Sequence, residues 1–162
     1  MALWIRPENS PIKLPLVFAS SREEDTFALG GRLASLLDKG SIVALKGGLG
    51  AGKTCLVKGI TRGLGVEEEV TSPAYTIISE YDGTDTRVYH IDAYRLKGND
   101  DFSAIGGEEI IFSDGISLIE WSCRIDSMLP AEAFRVDIEI KEGSHRLIRI
   151  FQDTSPLPAA IE

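Results

Sequence analysis

The chain has 162 residues, 43% of them apolar and 26% charged, with a formal net charge of −8 at pH 7. That length suits one globular domain, expected over residues 1–151 with a loose tail at 152–162, and no apolar run approaches the roughly twenty residues of a membrane span. So acidic a surface repels phosphate backbones, which argues against strong direct nucleic-acid binding and gives any RNA to a partner protein.

Arg6, Pro7, Glu8, Pro11 and Pro15 interrupt any signal-peptide core. Cys55 and Cys123 are too few for a disulfide framework, so a reducing cytoplasm is expected, with both thiols as packing residues. In chain order, LPLVFAS (Leu14 to Ser20) reads as a first strand. A helix follows, with Ser20 or Ser21 as N-cap and Gly40 as its end; Phe27, Leu29, Leu33, Leu36 and Leu37 keep its period. SIVALK is a short apolar strand, and Thr54 to Leu64 a helix with Leu56, Val57, Ile60 and Leu64 in one stripe, closed by Gly65. AYTIISEY and TRVYHIDAY flank the turn DGTD as a hairpin. GNDDFSAIGGEEIIFSDG reads as a loop and a short helix, ISLIEW as an apolar strand, and FRVDIEI with HRLIRIF as a second hairpin around KEGS.

Between SIVALK and the helix after it stands GGLGAGKT: Gly47, four residues, then Gly52, Lys53 and Thr54. Glycines let successive backbone N–H groups turn inward on one anion, and the helix behind points its positive end at the same place. In such a loop Lys53 reaches the β- and γ-phosphates and the Thr54 hydroxyl ligates magnesium. One strand–loop–helix unit combined with hairpins predicts an α/β, P-loop NTPase-like three-layer fold, its mixed sheet holding antiparallel hairpins and its helices on both faces.

Such a fold needs an acid ending an apolar strand near the magnesium, and Glu120 in ISLIEW supplies it, directly or through a water. In VYHIDAYR, strand alternation puts His90, Asp92 and Tyr94 on one face and Arg95 on the other. Asp92 suits a group that orients an attacking or magnesium-bound water. Arg95 neutralises developing charge or pairs with a carboxylate, and His90 alone reads as a solvated polar residue. The hydroxyls of Thr71, Ser72 and Thr76 around Pro73 suit either a polar turn or a loop that senses a γ-phosphate. Neither D-x-x-G nor N-K-x-D occurs, which favours ATP over GTP. A small-molecule kinase, or a nucleotide-binding scaffold without turnover, remains the alternative to an ATPase.

GGLGAGKT, VTSPAYT, YHIDAYRL and LIEW, in that order and spacing, resemble the TsaE family (formerly YjeE), the bacterial ATPases of tRNA threonylcarbamoyladenosine synthesis. The resemblance covers about Ser20 to Pro130. It implies that Leu49, Gly50, Ala51, Gly52, Lys53 and Thr54 wrap the phosphates of ATP, that Thr54 and Glu120 bind Mg2+, and that Asp92 is needed for hydrolysis. It places Glu23, Thr26 and Arg146 near the adenosine, and draws Tyr94, Arg95 and Trp121 into the motifs around the site. The implied partners are TsaD and TsaB, which face the tRNA; hydrolysis supports their repeated turnover without itself transferring the threonylcarbamoyl group. Three positions depart from the family pattern: Gly48 for Asp, Cys55 for Thr and Ala74 for Thr. A backbone cradle tolerates the first two, whereas Ala74 removes one hydroxyl from the loop around Pro73.

Overall fold

The structure, a computed structural model, describes residues 12–153. Its elements are β1 (Leu16–Ser20), α1 (Glu23–Ala34), β2 (Ile42–Lys46), α2 (Lys53–Gly63), β3 (Ile78–Asp82), β4 (Arg87–Asp92), α3 (Asn99–Ala104), α4 (Gly107–Ile111), β5 (Ile116–Glu120), a 3-10 segment (Ser122–Met128), β6 (Phe134–Ile140) and β7 (Arg146–Gln152). They form one seven-stranded sheet in the order β1-β7-β6-β2-β5-β4-β3. The central pairs β6–β2, β2–β5 and β5–β4 are parallel, and the outer pairs are antiparallel. The expected mixed sheet with two hairpins is therefore present, and residues 154–162 of the expected tail lie outside the described residues.

Helices cover both faces, each with its own core. On one side Leu29 and Leu33 of α1 and Leu56, Val57 and Ile60 of α2 pack with Val43, Leu45, Leu118 and Val136 of the sheet. On the other, Phe102 of α3, Ile111 of α4 and Ile125 of the 3-10 segment pack with Ala44, Ile91 and Ile119. The central strands are apolar on both faces because both are covered, as buried parallel strands require.

Helix α1 begins and ends differently from expectation. Its N-cap is Arg22, because the serines before it have other partners: the Ser20 hydroxyl turns inward to Thr26 Oγ1 at 2.7 Å. Asp25 instead reaches back to cap the helix, its carboxylate accepting from the Ser21 and Arg22 backbone N–H groups at 3.0 and 3.2 Å. Those bonds, the Ser21 amide foremost, hold the Asp25 carboxyl below its ordinary range. The helix stops at Ala34, well before Gly40. Phe27, expected in its apolar stripe, is 40% exposed. Both cysteines are free, Cys55 half-buried and Cys123 exposed, so Cys123 is not a packing residue.

Glycines set how closely α1 and α2 approach. A methyl on Gly59 would stand 2.1 Å from the Phe27 carbonyl oxygen, and one on Gly30 would stand 2.5 Å from that of Leu56. Backbone rests directly on backbone, which brings the first turn of α1 beside the first turn of α2. Gly59→Ala is expected to force the helices apart at a cost of roughly 1–3 kcal/mol, the usual scale of overpacking. Gly98→Ala, whose added methyl meets nothing within 4 Å, is expected to stay within about 0.5 kcal/mol of the parent. Urea unfolding of the two variants measures the contrast.

Candidate functional site

The loop between β2 and α2 turns on glycines that a side chain would obstruct. Gly50 and Gly52 have φ of 76° and 107°, in the left-handed region where only glycine is unstrained. Gly52 caps α2, so Lys53 and Thr54 open the helix and face the cleft above it. The cleft encloses about 700 Å³, within the size range of small-molecule sites. Leu49, Gly50, Ala51, Gly52, Lys53 and Thr54 line it, together with Asp92, Glu120, Tyr94 and Trp121 at and after the strand ends and Glu23, Phe27 and Lys58 of the two helices.

Lys53 crosses the loop. Its ammonium donates to the Gly47 and Gly48 carbonyls at 2.5 and 2.9 Å and lies 4.2 Å from the centre of the Trp121 ring. Burial pushes its pKa down, and the nearby charges of Glu120 and Asp92 oppose that shift. A cation so placed faces the cleft with little water around it, where its charge acts strongly.

The two acids come from adjacent strand ends. Asp92 ends β4 and Glu120 ends β5, and the two residues are register partners in the parallel ladder. The Thr54 hydroxyl donates to both Glu120 oxygens, at 3.0 and 3.1 Å. His90, expected to be solvated, is wholly buried, with Nε2 2.5 Å from Glu120 Oε2. Asp92 accepts the Tyr94 backbone N–H at 3.0 Å and the Ser72 hydroxyl at 3.5 Å.

Backbone strain borders both acids. Trp121, directly after Glu120, has φ of 57°, and Ile77, whose carbonyl accepts the Asp92 N–H at 2.8 Å, has φ of 68°. A β-branched or bulky residue seldom adopts such angles, and they persist only where the surroundings impose them. The Ser122 hydroxyl, bonded to the Leu45 carbonyl at 3.2 Å, anchors the turn behind Trp121. The Trp121 ring then meets Tyr94 at 4.8 Å as well as Lys53.

Several candidate residues lie elsewhere. Thr26 is 3% exposed and is bonded to Ser20 behind the cleft wall. Thr71 and Thr76 are exposed and do not line the cleft; of the three hydroxyls in that loop only Ser72 does. Arg95 points away and covers the Tyr75 ring at 5.0 Å. Arg146 does not line the cleft either, because its guanidinium is held on backbone carbonyls: Gly50 and Ala51 at 3.1 and 3.2 Å, and Gly143 and His145 at 3.0 and 2.9 Å. Sequence reasoning missed Phe27 and Lys58 on the wall and the contact of His90, although strand alternation already put His90 on the same face as Asp92.

Arg146 holds the outer side of the loop, so its carbonyls stay turned away from the cleft. Arg146→Met is expected to cost roughly 1–3 kcal/mol through the carbonyls it releases. Faster amide hydrogen exchange at Gly50 to Gly52 than in the parent would report the local loosening.

The comparisons with known proteins follow the same residues. The family model described as threonylcarbamoyl adenosine biosynthesis protein TsaE matches residues 20–148. A protein of Treponema pallidum named tRNA threonylcarbamoyladenosine biosynthesis protein TsaE is 40% identical over 131 residues, covering 81% of this chain and 96% of that protein. The protein of the same name from Bacillus subtilis is 37% identical over 116 residues, or 72% of each chain. Among solved structures, Bacillus subtilis YdiB superposes with a TM-score of 0.71 at 32% identity over 87% of each chain. The match runs from the end of β1 into β7 and takes in the loop and both strand-end acids: this chain belongs to the TsaE family.

Proposed function

We propose that this chain is the ATP-binding, magnesium-dependent ATPase of the machinery that makes threonylcarbamoyladenosine in tRNA. It acts with TsaD and TsaB to support their turnover and leaves the threonylcarbamoyl transfer to them. The observation that carries the reading is the convergence of Lys53, Thr54, Asp92 and Glu120 on one cleft, with Thr54 and Glu120 in contact across 66 residues of chain.

The donor set fits magnesium. Thr54 and Glu120 offer hard oxygens at one point, and this ion characteristically takes one or two protein oxygens and the rest from phosphates and water. When bound, it would neutralise charge on the β- and γ-phosphates. Lys53 supplies a fixed positive charge beside the Trp121 ring, and the N-terminus of α2 adds its partial charge. Asp92, beside Glu120 but not bonded to it, is placed to orient the attacking water. Its contacts to Tyr94 and Ser72 hold the carboxylate in position. Phosphoryl transfer needs little covalent help from protein, so positioning and charge are the contributions these side chains make.

The part of the cleft lined by Glu23, Phe27 and Lys58 takes the nucleoside. Tyr75, next to the cleft-lining Ala74, is 86% exposed, the type of residue that anchors a protein partner. A surface of net charge −8 leaves contact with the tRNA to TsaD and TsaB.

Lys53→Ala is expected to weaken ATP binding in calorimetric titration, and Glu120→Ala to lower phosphate release and raise the magnesium concentration it needs. Parental hydrolysis by the Glu120 variant would contradict the metal role. A phosphorylated metabolite formed from labelled ATP would instead identify a kinase, and ADP binding without phosphate release in the presence of TsaD and TsaB would identify a scaffold.

Asp92→Asn keeps the size of the side chain and removes its charge. Near-parental ATP affinity is expected, with phosphate release about two orders of magnitude slower, the upper range of a positioned acid–base group being ~10⁴. Repeated tRNA modification by the reconstituted machinery should fail with it. If ATP binding disappears as well, Asp92 is a binding group and not a catalytic one.

A further inference from the structure

His90 sits inside β4, wholly buried and absent from the cleft wall. Its Nε2 lies 2.5 Å from Glu120 Oε2, while its Nδ1 meets no hydrogen-bond partner among the described residues. A carboxylate acceptor assigns a hydrogen to Nε2, and Nδ1 is left without a hydrogen-bond partner. Burying a polar atom without a partner costs free energy. The fold tolerates that cost at the one place where the imidazole meets the carboxylate that also accepts the Thr54 hydroxyl.

Glu120 is thereby held from two sides. Thr54, at the start of α2, reaches it at 3.0 and 3.1 Å, and His90, from the neighbouring strand, holds one of the same two oxygens. The Glu120 residue is only 3% exposed, so water does little to orient it. Without the imidazole the carboxylate has freedom to turn away from Thr54, and a hard cation would have to order it on binding.

We infer that His90 is a positioning residue for the divalent cation: its Nε2–H fixes the Glu120 carboxylate toward Thr54 and so raises the affinity of the nucleotide-loaded cleft for magnesium. The inference rests on the metal role given to Glu120 above. His90 itself binds neither ion nor nucleotide.

Calorimetric titration of ADP across a magnesium chloride series starting from EDTA tests it, using the full chain and the variants His90→Phe, His90→Asn and Glu120→Gln. The parent and the His90 variants are expected to bind ADP alike in EDTA. The magnesium midpoint of His90→Phe should rise about 10- to 100-fold, the usual effect of losing a group that orients a metal ligand. His90→Asn, too short to reach Glu120, should show the same rise, and decides the matter if the Phe variant does not fold. A parental midpoint in the His90 variants with a raised midpoint in Glu120→Gln overturns the inference and leaves the metal site standing. A parental midpoint in Glu120→Gln too removes the metal reading and this inference with it. Loss of ADP affinity in EDTA by the His90 variants makes His90 a structural residue and likewise overturns the inference.

Discussion

The site depends on one buried carboxylate. Glu120 joins the start of α2 through Thr54, the neighbouring strand β4 through His90, and by backbone the turn that carries Trp121. A carboxylate this far from water is tolerated only where hydrogen-bond partners surround it, and here they are Thr54 on the cleft wall and His90 behind it. Loop, helix and strand ends are thus held in register by a side chain whose removal would leave a hydroxyl and an imidazole without their acceptor. Folding and function share this contact.

Around that contact the architecture supplies two further constraints. The α1–α2 pair packs backbone to backbone through Gly30 and Gly59, which brings Glu23 and Phe27 of α1 to the cleft wall. The β6–β7 hairpin reaches the loop from the other side: Arg146 grips the Gly50 and Ala51 carbonyls, and Ser144 donates to the Ser21 carbonyl at 2.8 Å. The loop between β2 and α2 is therefore braced by elements from both ends of the described chain. The rest of the strain is stored at Trp121 and Ile77, each beside an acid of the site, where rigid backbone fixes side-chain direction.

What could be read from sequence was local chemistry. The glycine spacing of the loop, the DGTD and KEGS turns and the apolar runs of β2 and β5 each carry their structure within a few residues. The strand-end place of Glu120 and the face of Asp92 followed from the same period-2 logic. Tertiary contacts were not legible. The cap of α1 passed from serine to Asp25 because Ser20 finds Thr26 inside the fold. The pairing of β1 with β7 joins the two ends of the chain, and nothing in either strand encodes the other. Arg146 had carbonyl partners nearly a hundred residues away, and the burial of His90 depends on α2 covering its strand face. Strand alternation could assign His90 a face, but not the partner waiting there.

The central claim is that Thr54 and Glu120 hold a divalent cation at the phosphate loop. Anomalous diffraction from crystals grown with manganese and a non-hydrolysable ATP analogue tests it most directly, since manganese takes the same oxygen ligands as magnesium. The account predicts one strong anomalous peak in contact with the Thr54 hydroxyl and the analogue's phosphates, with Glu120 bound to it directly or through one water. A nucleotide seated in the cleft with the peak absent, or placed away from both residues, would contradict it.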